Sequence, residues 1–243
     1  MIDIHCHILF GLDDGAENIS ESVEMAKIAR DGGSSYIVAT PHCNMSDIYM
    51  NPWGEGIASK IDAVNKALSE KGIGLEILPG QEIYCGDHTV DKLKGGQLIT
   101  LNNSRYPLIE FNFYQNSSFL YEQVWNLSKE GYVPIIAHPE RYAFVQENPE
   151  SISRIKSLGA LIQVNKGSLR GNFGRSAYDC ADFIVANRLA DFIASDAHSP
   201  FSRTPYLESV YEIISENYSF DYADFLLKEN PRCVIENKPN ILY

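Results

Sequence analysis

The sequence predicts an α/β protein: a distorted (β/α)7 TIM-like barrel, one domain over residues 1–243. Three observations carry this. Short β-rich runs alternate with helical stretches along the whole chain, which implies parallel strands joined by right-handed crossovers. Seven such runs can be counted, one short of the common eight-stranded barrel. The first run is not followed by the glycine-rich phosphate loop that an open doubly wound sheet would require.

The first strand lies in the opening stretch MIDIHCHILFGLDDG, where Ile2, Ile4 and Cys6 alternate with Asp3, His5 and His7. Such spacing places His5 and His7 on one face, roughly 7 Å apart along the backbone. The run breaks at Gly11 and offers Asp13 and Asp14 before Gly15. Glu17–Gly32 carries a helical pattern, with Ser20 as its expected cap and Gly32–Gly33 ending it. Tyr36–Thr40 is the second strand and ends in Pro41-His42. A helix over Gly56–Lys71 leads to a strand at Leu75–Leu78, which runs into Gly80-Gln81-Glu82. Tyr106–Phe111 is the next strand and contains Glu110; the helix Phe119–Gly131 and the strand Val133–Ala137 follow, ending in His138-Pro139-Glu140-Arg141. A helix over Pro149–Leu158 precedes the strand Leu161–Val164, which meets Asn165-Lys166-Gly167. The helix Ala177–Asn187 precedes the last strand, Phe192–Ala194, which runs into Ser195-Asp196-Ala197-His198. Helices over Tyr206–Asn217 and Tyr222–Lys228 complete the pattern.

Composition narrows the function. Hydrophobic residues make up 44 %, enough for a full core, and no apolar run is long enough to span a bilayer. No basic n-region with an apolar stretch opens the chain, so a cytoplasmic location is expected. Five cysteines (Cys6, Cys43, Cys85, Cys180, Cys233) lie scattered without a CxxC pair, which suits reduced thiols. A formal charge of −12 argues against a nucleic-acid partner.

The placement of metal-capable side chains is the main functional signal. Of six histidines, His5, His7, His42, His138 and His198 fall at or just past the end of a strand, as do Asp14, Glu82, Glu110 and Asp196. The C-terminal ends of parallel barrel strands form one face, so these groups are expected to converge there. His88 stands apart in a loop and is read as a surface residue. So many ligands exceed the need of one ion, which takes about three protein ligands in a catalytic zinc site. Two ions are the minimum, and three follow if a carboxylate bridges. Mixed imidazole and carboxylate donors suit manganese, iron or zinc. Three divalent ions bring about +6 against about −4 from the acids, which makes a pocket that attracts a phosphate dianion.

Arg141 follows His138 on the same loop and has two readings on spacing: a bidentate grip on phosphate, or a surface ion pair with Glu140 or a helix carboxylate. Arg203, in the loop after His198, is a second candidate for substrate binding. A cysteine-nucleophile phosphatase would carry arginine six residues after the cysteine; Leu12, Tyr49, Asp91, Ala186 and Pro239 occupy those positions instead.

Taken together, HCH at His5–His7, PH at His42, GQE at Glu82, IEF at Glu110, AHPER at His138–Arg141 and SDAH at Asp196–His198 resemble the polymerase-and-histidinol-phosphatase (PHP) superfamily. MIDIHCHIL, DDGA, LPGQEI and GSLRGNFG at Gly167–Gly174 resemble, more closely, the manganese-dependent bacterial protein-tyrosine phosphatases of capsule and exopolysaccharide synthesis. The resemblance implies the PHP fold with three metal ions, held by His5, His7, Asp14, His42, Glu82, Glu110, His138, Asp196 and His198. It implies phosphate binding by Arg141, and a phosphotyrosine protein as substrate, in that family the tyrosine-rich tail of a bacterial tyrosine autokinase. Asn165-Lys166 departs from the smaller residues expected before Gly167.

The expected reaction is monoester hydrolysis by a metal-bound hydroxide, with Arg141, Asp196 and His198 as catalytic residues. A tyrosinate leaving group, with a pKa near about 10, needs little help from a general acid. Tyr106, Phe111, Phe113, Tyr114, Tyr142 and Phe144 flank the ligand loops as candidate walls for a phenyl ring. The alternative within the same fold is a phosphatase of a small metabolite such as histidinol phosphate.

Overall fold

In the computed structural model, which describes residues 1–239, strands and helices alternate as expected. The strand segments are β1 (Ile2–Cys6), β2 (Tyr36–Ala39), β3 (His42–Cys43), β4 (Glu76–Leu78), β5 (Glu82–Tyr84), β6 (Leu108–Glu110), β7 (Ile135–Ala137), β8 (Leu161–Asn165) and β9 (Phe192–Ala194). All ladder pairings are parallel, β1-β2-β4 in one sheet and β3-β5-β6-β7-β8-β9 in the other.

The segments count as seven staves, because two staves are broken. Thr40-Pro41 separates β2 from β3, and Pro79-Gly80-Gln81 separates β4 from β5. Proline has no N–H for the ladder, so a break is the expected result. His42 and Glu82 therefore lie past the breaks and pair with each other in register. The ring closes between β9 and β1 through His7 N–H to the Ala197 carbonyl and Asp196 N–H to the His5 carbonyl, both 2.9 Å.

Inside the barrel, Ile4, Val38, Leu108, Ala137, Leu161, Phe192 and Ala194 form an apolar plug below the rim, and Leu101 and Val234 join it. Outer clusters fill the space between staves and helices. The alternation expected in β1 is interrupted: Ile2 and Ile4 join the interior plug, while Cys6 packs outside with Met25 and Ala39. The pairing of β1 with β2 shifts register between Asp3 and Cys6, which accounts for the change of face.

Several local expectations are corrected. Asn18, not Ser20, caps the first helix, Ile19–Asp31, by accepting the Glu21 N–H. The helix expected over Pro149–Leu158 is shorter, Ser151–Ser157, and a separate helix, Ala143–Glu147, precedes it. Tyr222–Lys228 belongs to a longer run, Phe220–Ile235, whose central turn Phe225–Glu229 is a π-helix. Pro231 lies just beyond that turn and cannot donate back to it. Among the described residues, no helix is long and apolar enough to cross a membrane. All five cysteines are free.

Candidate metal centre

Strand ends and the loops after them bring the nine predicted side chains to one rim. His5 and His7 leave the end of β1, with their Nε2 atoms 3.3 Å apart. Glu82, fully buried, lies at the centre: its Oε2 is 3.2 Å from His5 Nε2, 3.3 Å from His7 Nε2 and 3.0 Å from His42 Nδ1. The other oxygen of Glu82 is 2.9 Å from His138 Nε2. Glu110 reaches His42 and His138 at 3.6 and 3.7 Å. Asp196 Oδ1 is 3.5 Å from both His5 and His7. Asp14, half exposed, is 3.3 Å from His198 Nε2. His88 is exposed and far from the cluster, as expected.

Several supporting residues orient these groups. His5 Nδ1 bonds Gln163 Oε1 at 2.9 Å, which leaves Nε2 facing the cluster. His7 Nδ1 bonds Asp13 Oδ2 at 2.7 Å, and that oxygen also accepts the His42 N–H. Gln163 donates to Asn165 Oδ1, and Asn165 donates to Asp196 Oδ2 at 2.5 Å. The departure noted at Asn165 thus has a definite place, fixing Asp196. The sequence reading gave Asp13 and Gln163 no such part; the only advance signal for Gln163 was a polar residue inside a strand. Two rim residues adopt left-handed backbone, His138 at φ 35° and Asp196 at φ 49°. Such strain clusters where a structure must aim side chains.

The donor set fits divalent cations. Four groups each bring ligand atoms within 4.8 Å of one another: His7, Asp14, His42, His198; His5, His7, Asp196; His5, Glu82, His138; and His42, Glu82, Glu110. Shared members, above all Glu82, suit adjacent ions with bridging ligands. Glu82 Oε2, Glu110 Oε2 and His42 Nδ1 are buried with no hydrogen-bond partner, an arrangement that bound cations would satisfy. Burial and the neighbouring Glu82 charge push the Glu110 carboxyl up to about 8. Burial also opposes ionisation of Glu82, but His5 and His42 overcome it and hold that carboxyl well below the usual range.

Arg141 and Arg203 meet this rim at Asp196. Arg203 Nη2 is 2.7 Å from Asp196 Oδ2, and Arg141 Nη1 is 3.7 Å from the same oxygen. The Arg141 guanidinium lies 4.4 Å from the Phe113 ring centroid and 4.5 Å from that of Phe173. Glu140 is no ion-pair partner for it: that side chain is buried and accepts from Asn165 N–H and Ser168 Oγ. Phe113 separates two cavities. One of about 280 Å³ holds Arg141, Phe173 and Tyr114; the other, of about 420 Å³, holds Met45, Ile48, Tyr84, Glu110 and Phe111. Of the aromatics expected to wall a phenyl ring, Phe111, Phe113 and Tyr114 line these cavities. Tyr106, Tyr142 and Phe144 do not; Phe144 packs against Tyr121 and Tyr142. Tyr106 belongs to the interior plug and donates to the Lys238 carbonyl, and Tyr142 is buried with its hydroxyl bonded to the Ala137 carbonyl. Phe173 was not anticipated.

Comparison with known proteins agrees with this geometry. The model of the capsular polysaccharide synthesis family CpsB/CapC matches residues 1–236. The chain belongs to the CpsB/CapC family. Tyrosine-protein phosphatase YwqE of Bacillus subtilis is 36% identical over 238 residues, 98% of this chain and 92% of that protein. A solved structure from work on YwqE of Bacillus subtilis and CpsB of Streptococcus pneumoniae, described as unique metal-dependent tyrosine phosphatases, superposes with a TM-score of 0.93 at 35% identity. It covers 100% of this chain and 97% of that one. Histidinol phosphate phosphatase of Lactococcus lactis, solved with zinc, L-histidinol and phosphate, superposes with a TM-score of 0.58 at 14% identity, over 93% and 94% of the two chains. That likeness is one of fold.

Proposed function

We infer that this chain is a metal-dependent protein-tyrosine phosphatase acting in capsular or exopolysaccharide synthesis, with its chemistry at the nine-residue rim. The observation that carries the reading is the meeting of that imidazole–carboxylate cluster with two arginines at a single residue, Asp196. The family relatives named tyrosine-protein phosphatases support the substrate class.

His5, His7, Asp14, His42, Glu82, Glu110, His138, Asp196 and His198 hold divalent ions in this reading, three in number, with manganese favoured over iron or zinc. When bound, such ions acidify water toward neutrality and offset phosphoryl charge. The chain's own residues do the rest. Arg141, packed against the Phe113 and Phe173 rings, presents its guanidinium to phosphate oxygens, and Arg203 approaches from the loop after β9. Asp196 and His198 act with Arg141 at the reacting phosphate. The apolar faces of Phe113 and Phe111 flank the path of an aryl leaving group. A tyrosinate leaves without a strong acid beside it. The substrate is a phosphotyrosine protein, a bacterial tyrosine autokinase by resemblance, and the enzyme is expected in the cytoplasm.

The test compares turnover of a phosphotyrosine peptide and of histidinol phosphate by manganese-loaded enzyme. Preference for the peptide, lost on chelation, is the expected result. Preference for the metabolite would replace the substrate assignment, and no hydrolysis of either would remove the enzymatic reading.

A further inference from the structure

Arg203 adopts left-handed backbone, φ 48°, which is strained for a non-glycine residue and needs support from its surroundings. One support is local: the His198 N–H donates to the Arg203 carbonyl at 3.0 Å. The other comes from a different stave. Lys166, the first residue of the short helix Lys166–Leu169 after β8, is 4 % exposed. Its ammonium donates to the carbonyls of Thr204 and Tyr206, the latter at 2.8 Å. These are its hydrogen-bond partners among the described residues.

Lys166 follows Asn165, which bonds the Asp196 oxygen that Arg203 also contacts. Two consecutive residues thus hold both halves of one pair: Asn165 fixes the carboxylate, and Lys166 fixes the backbone bearing the guanidinium. A buried ammonium is costly to desolvate, so a lysine committed to two main-chain carbonyls argues for a loop that must not move.

We propose that Lys166 is a positioning residue for phosphate binding, presetting the Arg203 guanidinium beside Asp196 by anchoring the Thr204 and Tyr206 carbonyls. The inference rests on the reading of Arg203 as a phosphate-holding group.

A double-mutant cycle tests it. Inorganic phosphate is titrated calorimetrically into manganese-loaded wild type, Lys166→Met, Arg203→Ala and the double variant, with metal content and circular dichroism measured on each. Hydrogen bonds from a charged donor predict that Lys166→Met weakens phosphate binding about tenfold or more. KM for an aryl phosphate should rise in parallel, with a smaller change in kcat. In the Arg203→Ala background the Lys166 substitution should add almost nothing, because the group it positions is gone. Lys166→Arg, which keeps charged donors, should lose less than Lys166→Met, and it replaces that variant in the cycle if Lys166→Met does not fold. Full additivity of the two substitutions, or unchanged affinity in Lys166→Met, overturns the inference. Unchanged affinity in Arg203→Ala overturns the underlying role of Arg203 and this inference with it, and the two failures are told apart by that single variant.

Discussion

Asp13 Oδ2 lies 2.7 Å from His7 Nδ1 and accepts the main-chain N–H of His42 at 2.8 Å, so one carboxylate aims the His7 imidazole and pins the backbone that carries His42. Outer partners of this kind are worth about 10–100-fold in metal affinity. Asp13→Ala should therefore lose metal more readily than wild type by that margin, measured by competition with a chelating dye. Equal metal retention would show that the His7 ring is held by packing alone.

Arg141 gains its orientation from two aromatic faces, and the sandwich predicts a hierarchy. Arg141→Ala should lower kcat/KM about a hundredfold, as loss of a charge-stabilising donor does, while metal content stays unchanged. Phe173→Ala should act more weakly, about threefold to thirtyfold, in the range of one cation–π contact. Steady-state kinetics on a phosphotyrosine peptide orders them. A Phe173 variant as impaired as Arg141→Ala would place the ring, not the charge, first.

Stripping the metal should cost stability as well as activity. A ligand at a hundred times its Kd stabilises the native state by about 2.7 kcal/mol. Chelation should accordingly lower the thermal midpoint, and added manganese should restore both midpoint and turnover. A midpoint indifferent to metal would mean that the rim does not bind it.

Lys166 gives a pH signature from a group that is not one of the proposed ligands. Burial pulls its ammonium down to about 8 from the ordinary 10.5. Between those values the unfolded chain binds the proton and the folded chain does not, so this group makes stability rise with pH. Below about 8 both states are protonated and the burial cost is present in full; above 10.5 it is gone. Relative to Lys166→Met in chelator, the wild-type midpoint should gain as pH climbs through this window. A constant difference would mean that Lys166 keeps an ordinary pKa.

Much of the fold was legible because its signals are local. The alternation of β-rich runs with helical stretches marks the staves, and histidines at their ends mark the rim. The stave breaks are written as Pro41 and Pro79, but a proline after a β run reads equally well as a loop. Other features depend on contacts distant in the chain. Asp13 and Asp14 are neighbours of one type, and it is Asp13 that turns inward, onto the His7 ring and the main-chain N–H of His42, 29 residues on. Gln163 matters because barrel closure brings β1 beside it, 158 residues away. Tyr106 and Tyr142 carry hydroxyls that suggest a polar surface, yet main-chain carbonyls accept them, that of Lys238 and that of the buried Ala137.

Gly15 closes the acidic turn that carries Asp13 and Asp14. A methyl group built there would sit 2.2 Å from the His7 carbonyl oxygen, with the His7 Cβ at 2.6 Å. The obstruction is main chain, which no rotamer change relieves. A side chain at position 15 would therefore force the His7 main chain aside, displacing the imidazole that Asp13 orients.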